Sequence, residues 1–289
     1  MLPAQFDYSV AQTVDEAISL LQKYGDDAKL LAGGHSLLPI MKLRLAQPRH
    51  LVDISRIPGL RGVRREGDVL VIGALTTHYE LETSSLLQAH CPLVSQTARE
   101  VGDTQVRNRG TIGGIVAHAD PAADYPAMVL ALEAQLSVAG PRGTRTVSAL
   151  DFFHGFYTTD LAPDEILTEV RVPVLGPGTG TAYGKWTRRA CDFAVVGGAA
   201  AVGVAGGPIR RAAVALTGVG DKAVRASAVE QALSGRPATE SSLREAAQLA
   251  AEGLEPPDDL NASADFRRHL ARVMTRRVLE KALQSAMSR

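Results

Sequence analysis

Cysteine is nearly absent from this chain: its 289 residues include only Cys91 and Cys191. A plant-type iron–sulfur cluster or a structural zinc site needs three or four closely spaced ligands, so no metal cluster is expected on this chain. The two thiols are read as buried and reduced, with a disulfide between them as the open alternative. An excess of charge of either sign is also lacking, since Lys plus Arg and Asp plus Glu each number 31. That balance leaves nothing to drive binding to a nucleic-acid backbone or an anionic leaflet. Nowhere do about 18 apolar residues run together, as a membrane span requires. The opening MLPAQFDYSV has neither the basic start nor the apolar stretch of a secretory signal. A cytoplasmic protein is expected, with no nucleic acid among its partners.

What is present suffices for a substantial core, with 45% apolar and 21% charged residues. Thr13 to Tyr24 places Val14, Ala17, Ile18, Leu20 and Leu21 along one helical face, with Thr13 as a cap and Asp15 and Glu16 favouring the first turn. The apolar strand Lys29 to Ala32 runs into glycine, a helical segment covers Leu37 to Leu45, and a strand follows at Leu51 to Ile54. From Asp68 the pattern shifts to a strand over Val69 to Ala74 and a helix over Cys91 to Val101. Arg107 to Asp124, rich in Gly and short polar residues, reads as a long irregular segment, which inside a compact domain is usually functional. A helix over Pro126 to Leu132, a strand over Gln135 to Ala139 and a strand ending near Pro173 complete this part.

The turn-rich Gly176-Pro-Gly-Thr-Gly180 marks a domain boundary. It divides residues 1–176, with subdomains of about 1–56 and 57–176, from residues 177–289. Beyond it, strands at Gly184 to Thr187, Val195 to Val204 and Ala212 to Thr217 precede helices at Ser227 to Leu233, Leu243 to Leu254 and Phe266 to Met287, an α+β pattern. In the last helix Phe266, Leu270, Val273, Val278, Leu279, Ala282 and Leu283 form the expected buried stripe, while Arg267, Arg268, Arg272, Arg276 and Arg277 read as a solvated face.

Two glycine loops carry the chemistry. Ala32-Gly33-Gly34-His35-Ser36-Leu37-Leu38-Pro39 follows a strand and precedes a helix; glycines there let several N–H groups approach an anion, and Ser36 adds a hydroxyl. Taken alone, such a turn is structural more often than functional, and His35 packs beside it or touches the ligand. Arg109-Gly110-Thr111-Ile112-Gly113-Gly114 offers a second nest of amides and a hydroxyl, and leads through His118, Asp120 and Pro121 to Asp124. Asp120 reads as a turn-stabilising side chain, and Asp124 as the partner for sugar hydroxyls. Neither loop has the three glycines and distal acid of a Rossmann site, nor the Gly-Lys-Ser/Thr of a nucleotide triphosphatase. Two such loops about 80 positions apart suggest one long diphosphate ligand clasped between subdomains.

These residues resemble a known family. Ala32 to Leu38 with Met41-Lys42-Leu43-Arg44, and Arg107-Asn108-Arg109-Gly110-Thr111-Ile112-Gly113-Gly114 leading to Asp120-Pro121-Ala122-Ala123-Asp124, look like the paired signatures of the FAD-binding medium subunits of carbon-monoxide-dehydrogenase-type and xanthine-dehydrogenase-type molybdenum hydroxylases. The resemblance extends over essentially the whole chain, Val69-Leu70-Val71-Ile72-Gly73-Ala74 and the strand after Trp186 included. It implies an α+β protein: a vanillyl-alcohol-oxidase-type (PCMH-type) FAD-binding fold in two subdomains plus a C-terminal α+β CO-dehydrogenase-flavoprotein domain. It implies FAD on this chain, and a complex with a large molybdopterin subunit and a small subunit carrying two [2Fe–2S] clusters. A dimer of such heterotrimers would be a heterohexamer, at most peripheral to the inner face of the membrane. Electrons would leave to an external acceptor, whether quinone, cytochrome or oxygen.

Carried over by position, the resemblance gives the FAD diphosphate to Ala32, Gly33, Gly34, His35, Ser36 and Leu37 and to Gly110, Thr111, Ile112, Gly113 and Gly114. It gives the ribityl or ribose hydroxyls to Asp124, and places a backbone group of Leu161 and the ammonium of Lys185 near the isoalloxazine, where a cation would stabilise the anionic reduced ring. Phe193 stands near where some relatives carry tyrosine against the flavin; a phenyl group would keep the packing and lose the hydroxyl, the alternative being a plain core residue. His118 replaces what carbon-monoxide-oxidising relatives carry there, which counts against CO as the substrate. The resemblance implies electron transfer, with no catalytic residue for the substrate and no metal ligand on this chain. The competing readings are a self-contained flavin oxidase, for which His78 and Tyr79 are the nearest acid/base candidates and otherwise a helix start, and a non-catalytic flavin carrier.

Overall fold

The computed structural model describes residues 2–288, and three larger sheets follow one another along the chain, beside a two-stranded ribbon of Phe153–Gly155 and Thr158–Thr159. The first is parallel: Asp7–Val10 and Ala28–Leu31 flank the buried strand His50–Asp53. The helix Val14–Tyr24 packs Ala17, Ile18 and Leu21 into its core. Its start is local chemistry, since the Thr13 hydroxyl accepts from the Glu16 amide at 3.1 Å.

The second sheet is antiparallel, in the order Val63–Glu66, Val69–Gly73, Ile166–Pro173, Gln135–Gly140, Gly143–Ser148. Its central strand comes last in the sequence and joins the hairpins Val63–Gly73 and Gln135–Ser148 into one sheet. That intervening chain carries the helices Pro92–Glu100, Ile112–His118 and Asp124–Ala131. Every residue of Asp124–Ala131 is buried, because the third sheet lies against this helix through Val196–Val204 and Ile209–Thr217.

The third sheet orders Thr179–Trp186, Val196–Val204, Ile209–Thr217 and Val224–Arg225 antiparallel. The helix Ala264–Met287 lies across it. Small residues in the strands permit this: a Cβ on Gly184 or Gly198 would already touch Met274 or Val278.

Several expectations are corrected. Residues 107–124 are not irregular: Ile112–His118 is helical, because the Thr111 side chain accepts from the Gly114 amide at 3.1 Å and starts it despite two glycines. The thiols are not both buried, for Cys191 is exposed at a left-handed position (φ 64°), and no disulfide joins it to buried Cys91. In the last helix Phe266 is partly exposed, whereas Arg267 is 4% exposed, its guanidinium donating to the carbonyls of Val195 and Gly218 and to the Asp259 carboxylate. The arginine face is solvated except where those loop carbonyls reach the helix. Among the described residues no helix is long and apolar enough to cross a membrane.

Candidate functional site

The two glycine loops meet. A Cβ on Gly33 would lie 2.3 Å from the Arg109 carbonyl oxygen and 2.9 Å from the Gly110 Cα, so backbone packs on backbone with no room for a side chain. Loops 76 positions apart in sequence are thus one surface. In the first loop, no acceptor among the described residues takes the amides of Gly33, Gly34, His35, Ser36 or Leu37. Gly34 supplies the turn with φ +79°, and the Ser36 hydroxyl makes no cap bond to the helix Leu37–Lys42. Five unpaired amides and a hydroxyl beside a positive φ form a concavity suited to phosphate oxygens.

The second loop differs from its expected form. The amides of Gly110, Ile112, Gly113 and Gly114 already donate, to the carbonyls of Val106, Thr76 and Ala74 and to the Thr111 hydroxyl. Only Thr111 keeps an unpaired amide, so this loop acts as a wall rather than a second nest. The wall is rigid because Gly113 abuts Ala74, where a Cβ would come within 2.5 Å. Behind it His78 opens the helix His78–Thr83, with the Thr77 hydroxyl and the Glu80 carboxylate forming a reciprocal cap. His78 is also buried, its Nδ1 3.0 Å from the Tyr125 hydroxyl.

A second cluster forms where the third sheet meets the helix Asp124–Ala131. Lys185 Nζ lies 3.1 Å from one Asp124 carboxylate oxygen and 3.2 Å from the other, and donates to the Asp192 carbonyl at 3.0 Å. The Tyr183 hydroxyl donates to Asp124 at 2.5 Å. Burial raises the Asp124 carboxyl pKa while Lys185 and Tyr183 pull it down, and burial beside Asp124 pushes the Tyr183 phenol far up. Both side chains of the ion pair are about 5% exposed. Asp124 and Lys185, expected at the sugar hydroxyls and near the flavin ring, are thus brought together as one ion pair.

The pair sets the loop that follows. Its Asp192 carbonyl is tied to Lys185, and the next residue, Phe193, is 52% exposed and so is no core residue. Phe193 and Phe156 line a cavity of about 220 Å³ with Pro121, Ala122 and Arg267. Leu161 packs half-buried on the main core, its amide donating to the Thr159 hydroxyl at 3.3 Å, with no contact tying it to either cluster. His118 ends its helix with its ring 4.9 Å from that of Tyr157. Tyr183, Tyr125 and Arg267 had no sequence signal beyond type, because their partners lie far along the chain.

A family model described as the FAD binding domain in molybdopterin dehydrogenase matches residues 4–175, and one described as the CO dehydrogenase flavoprotein C-terminal domain matches residues 181–282. The chain is 45% identical to the carbon monoxide dehydrogenase medium chain of Hydrogenophaga pseudoflava, covering 98% of each. It is 38% identical to the 6-hydroxypseudooxynicotine dehydrogenase complex subunit alpha of Paenarthrobacter nicotinovorans, covering 99% of this chain and 97% of the relative. Among solved structures it superposes on a chain of carbon monoxide dehydrogenase from Hydrogenophaga pseudoflava with a TM-score of 0.97, at 47% identity and 99% coverage of both.

Proposed function

The chain belongs to the FAD-binding medium subunits of the molybdenum hydroxylases, and from that premise we propose that it collects electrons from the [2Fe–2S] clusters of a small partner subunit and passes them to an external acceptor. Those electrons originate on a large subunit that carries molybdopterin and the substrate. Bound FAD supplies the exchange between single-electron and two-electron carriers. This chain's own residues bind it: the amides of Gly33 to Leu37 with the hydroxyls of Ser36 and Thr111 take the diphosphate, and Ala32 ends the strand that presents them. The Gly110–Gly114 segment walls it in. Phe193 and Phe156 offer an apolar edge for the ring. Asp124 is the carboxylate for the ribityl or ribose hydroxyls, and the Lys185 ammonium, tied to the Asp192 carbonyl just before Phe193, serves the ring together with a backbone group of Leu161.

One observation carries the reading: the contact of Gly33 with Arg109 and Gly110, which joins two distant loops into a single cradle lined with unpaired amides. The complex is taken to be a cytoplasmic dimer of heterotrimers. Substrate choice belongs to the large subunit, and carbon monoxide is the first compound to try because relatives at 45% and 41% identity are carbon monoxide dehydrogenase medium chains. In the assembled complex, stripping FAD should leave bleaching of the cluster absorbance by substrate intact while stopping transfer to a quinone or cytochrome. If substrate rapidly bleaches the flavin of this chain in the absence of the other subunits, the chain is a self-contained oxidase and the proposal fails.

A further inference from the structure

A histidine needed only to open a helix would face solvent, yet His78 is 3% exposed. Its Nδ1 and the Tyr125 hydroxyl are each other's single polar partner among the described residues. Tyr125 is fully buried, so a hydroxyl that merely accepted would strand its own proton in the core. The tyrosine therefore donates to Nδ1, which puts the ring proton on Nε2. Burial, with the nearby His35 and Arg107, lowers the imidazole pKa to about 3, so the ring is a neutral donor at physiological pH.

That donor has no acceptor within the described residues, and it lies against the second loop. Nε2 abuts Gly110, where a Cβ would lie 2.6 Å from it, and Gly110 is the residue that meets Gly33. The N–H thus lies against a residue through which the second loop meets Gly33. We propose that His78 is a binding residue of the cofactor site, its Nε2–H donating to a FAD diphosphate oxygen at the seam between the Gly33 and Gly110 loops, with Tyr125 as the positioning residue that fixes the tautomer. The inference rests on the FAD reading above and adds a donor that neither glycine motif contains. A neutral ring suits the place, since its donation does not change across the physiological pH range.

The test uses the assembled complex, freed of FAD and titrated with FAD. His78→Phe combined with Tyr125→Phe replaces a polar pair by an apolar pair of similar shape, which protects the fold while removing the donor. It should weaken FAD binding about 10- to 100-fold, the worth of one hydrogen bond to a charged group. At saturating FAD, one of the two diphosphate phosphorus resonances should move. His78→Gln, which keeps an N–H, should stay within about fivefold of the wild type, a rescue that a packing role would not give. Wild-type affinity with unmoved resonances in the double variant overturns the assignment, as does a His78→Gln variant as weak as the double one. Should the double variant not fold, Tyr125→Phe alone decides, because an unchanged FAD affinity there removes the tautomer argument and the assignment with it. A wild-type complex that takes up no FAD would defeat the functional reading itself, a separate and recognisable failure.

Discussion

Gly33→Ala is the smallest change that tests whether the two loops form one cradle. The new methyl carbon would lie 2.3 Å from the Arg109 carbonyl oxygen and 2.9 Å from the Gly110 Cα, all backbone atoms that cannot rotate away. Ordinary contacts fall near 3.5 Å, so the loops must part by roughly an ångström. Forced overpacking of this kind costs about 1–3 kcal/mol. If FAD is held only when the loops are closed, that cost appears in binding, as an affinity about 5- to 100-fold weaker. Gly34→Ala is the control, because its cost is local: φ +79° penalises any side chain by about 1–2 kcal/mol, but the atom it meets first is the Leu38 Cδ1 at 3.0 Å, which can swing aside. Titration of the FAD-free complex, followed by flavin fluorescence, gives the affinity; the melting temperature gives the fold. The expected order of loss is Gly33→Ala above Gly34→Ala. A Gly33→Ala protein that melts lower but binds FAD as tightly as the wild type would show that the contact is structural and that the cradle does not need it.

Two further outcomes follow from buried charge. Asp124→Asn leaves the Lys185 ammonium about 5% exposed beside a neutral amide, which should cost about 3–5 kcal/mol and lower the melting temperature by roughly 10 °C; Asp124→Leu with Lys185→Met should recover most of it, and equal melting of Asp124→Asn and wild type would refute the pair's role. Because the His78 pKa falls from 6.5 in the unfolded chain to about 3 in the folded one, the unfolded state takes the proton first; the stability from keeping His78 neutral is complete above pH 6.5 and is lost as pH falls towards 3. The loss approaches 1.4 kcal/mol per pH unit, about 3 kcal/mol by pH 4. Denaturant midpoints from pH 7 to 4 should therefore fall less steeply in the His78→Phe, Tyr125→Phe variant, and parallel acid limbs would sink the claim.

Local chemistry was legible in the sequence and distant pairing was not. The cap at Thr13 acts over three residues, so it can be read from neighbours alone, and the helix it starts was placed within a residue of where it stands. Thr111 caps by the same rule, yet Gly113 and Gly114 hid its helix, because glycine argues against a helix unless something far away needs the space, here Ala74. Two of the three strands of the parallel sheet and the last helix were also visible, since their periodicity is their own, whereas the edge strand Asp7–Val10 was not placed. Asp124 could be seen as a carboxylate near a glycine loop, but Lys185 lies 61 positions on, and nothing near either residue announces the other. Arg267 looks like its four companions on the helix until the carbonyls of Val195 and Gly218 are brought above it.

The same distinction explains why the two glycine loops, alike in sequence, have unlike tasks. A loop binds a phosphate with the amides that the fold leaves unpaired, and that remainder depends on which strand or turn lies alongside. The 33–37 segment follows a strand end, and no carbonyl among the described residues accepts its amides, so they stay open. The 110–114 segment runs beside residues 74–78, which take the amides of Ile112 and Gly113 through their carbonyls. Its glycines therefore serve approach: Gly113 to the sheet edge, and Gly110 to Gly33 and His78. What this wall lacks in open amides, the donor behind it can supply, because an imidazole whose Nδ1 is held by Tyr125 keeps its Nε2 against Gly110, which has no side chain to block it.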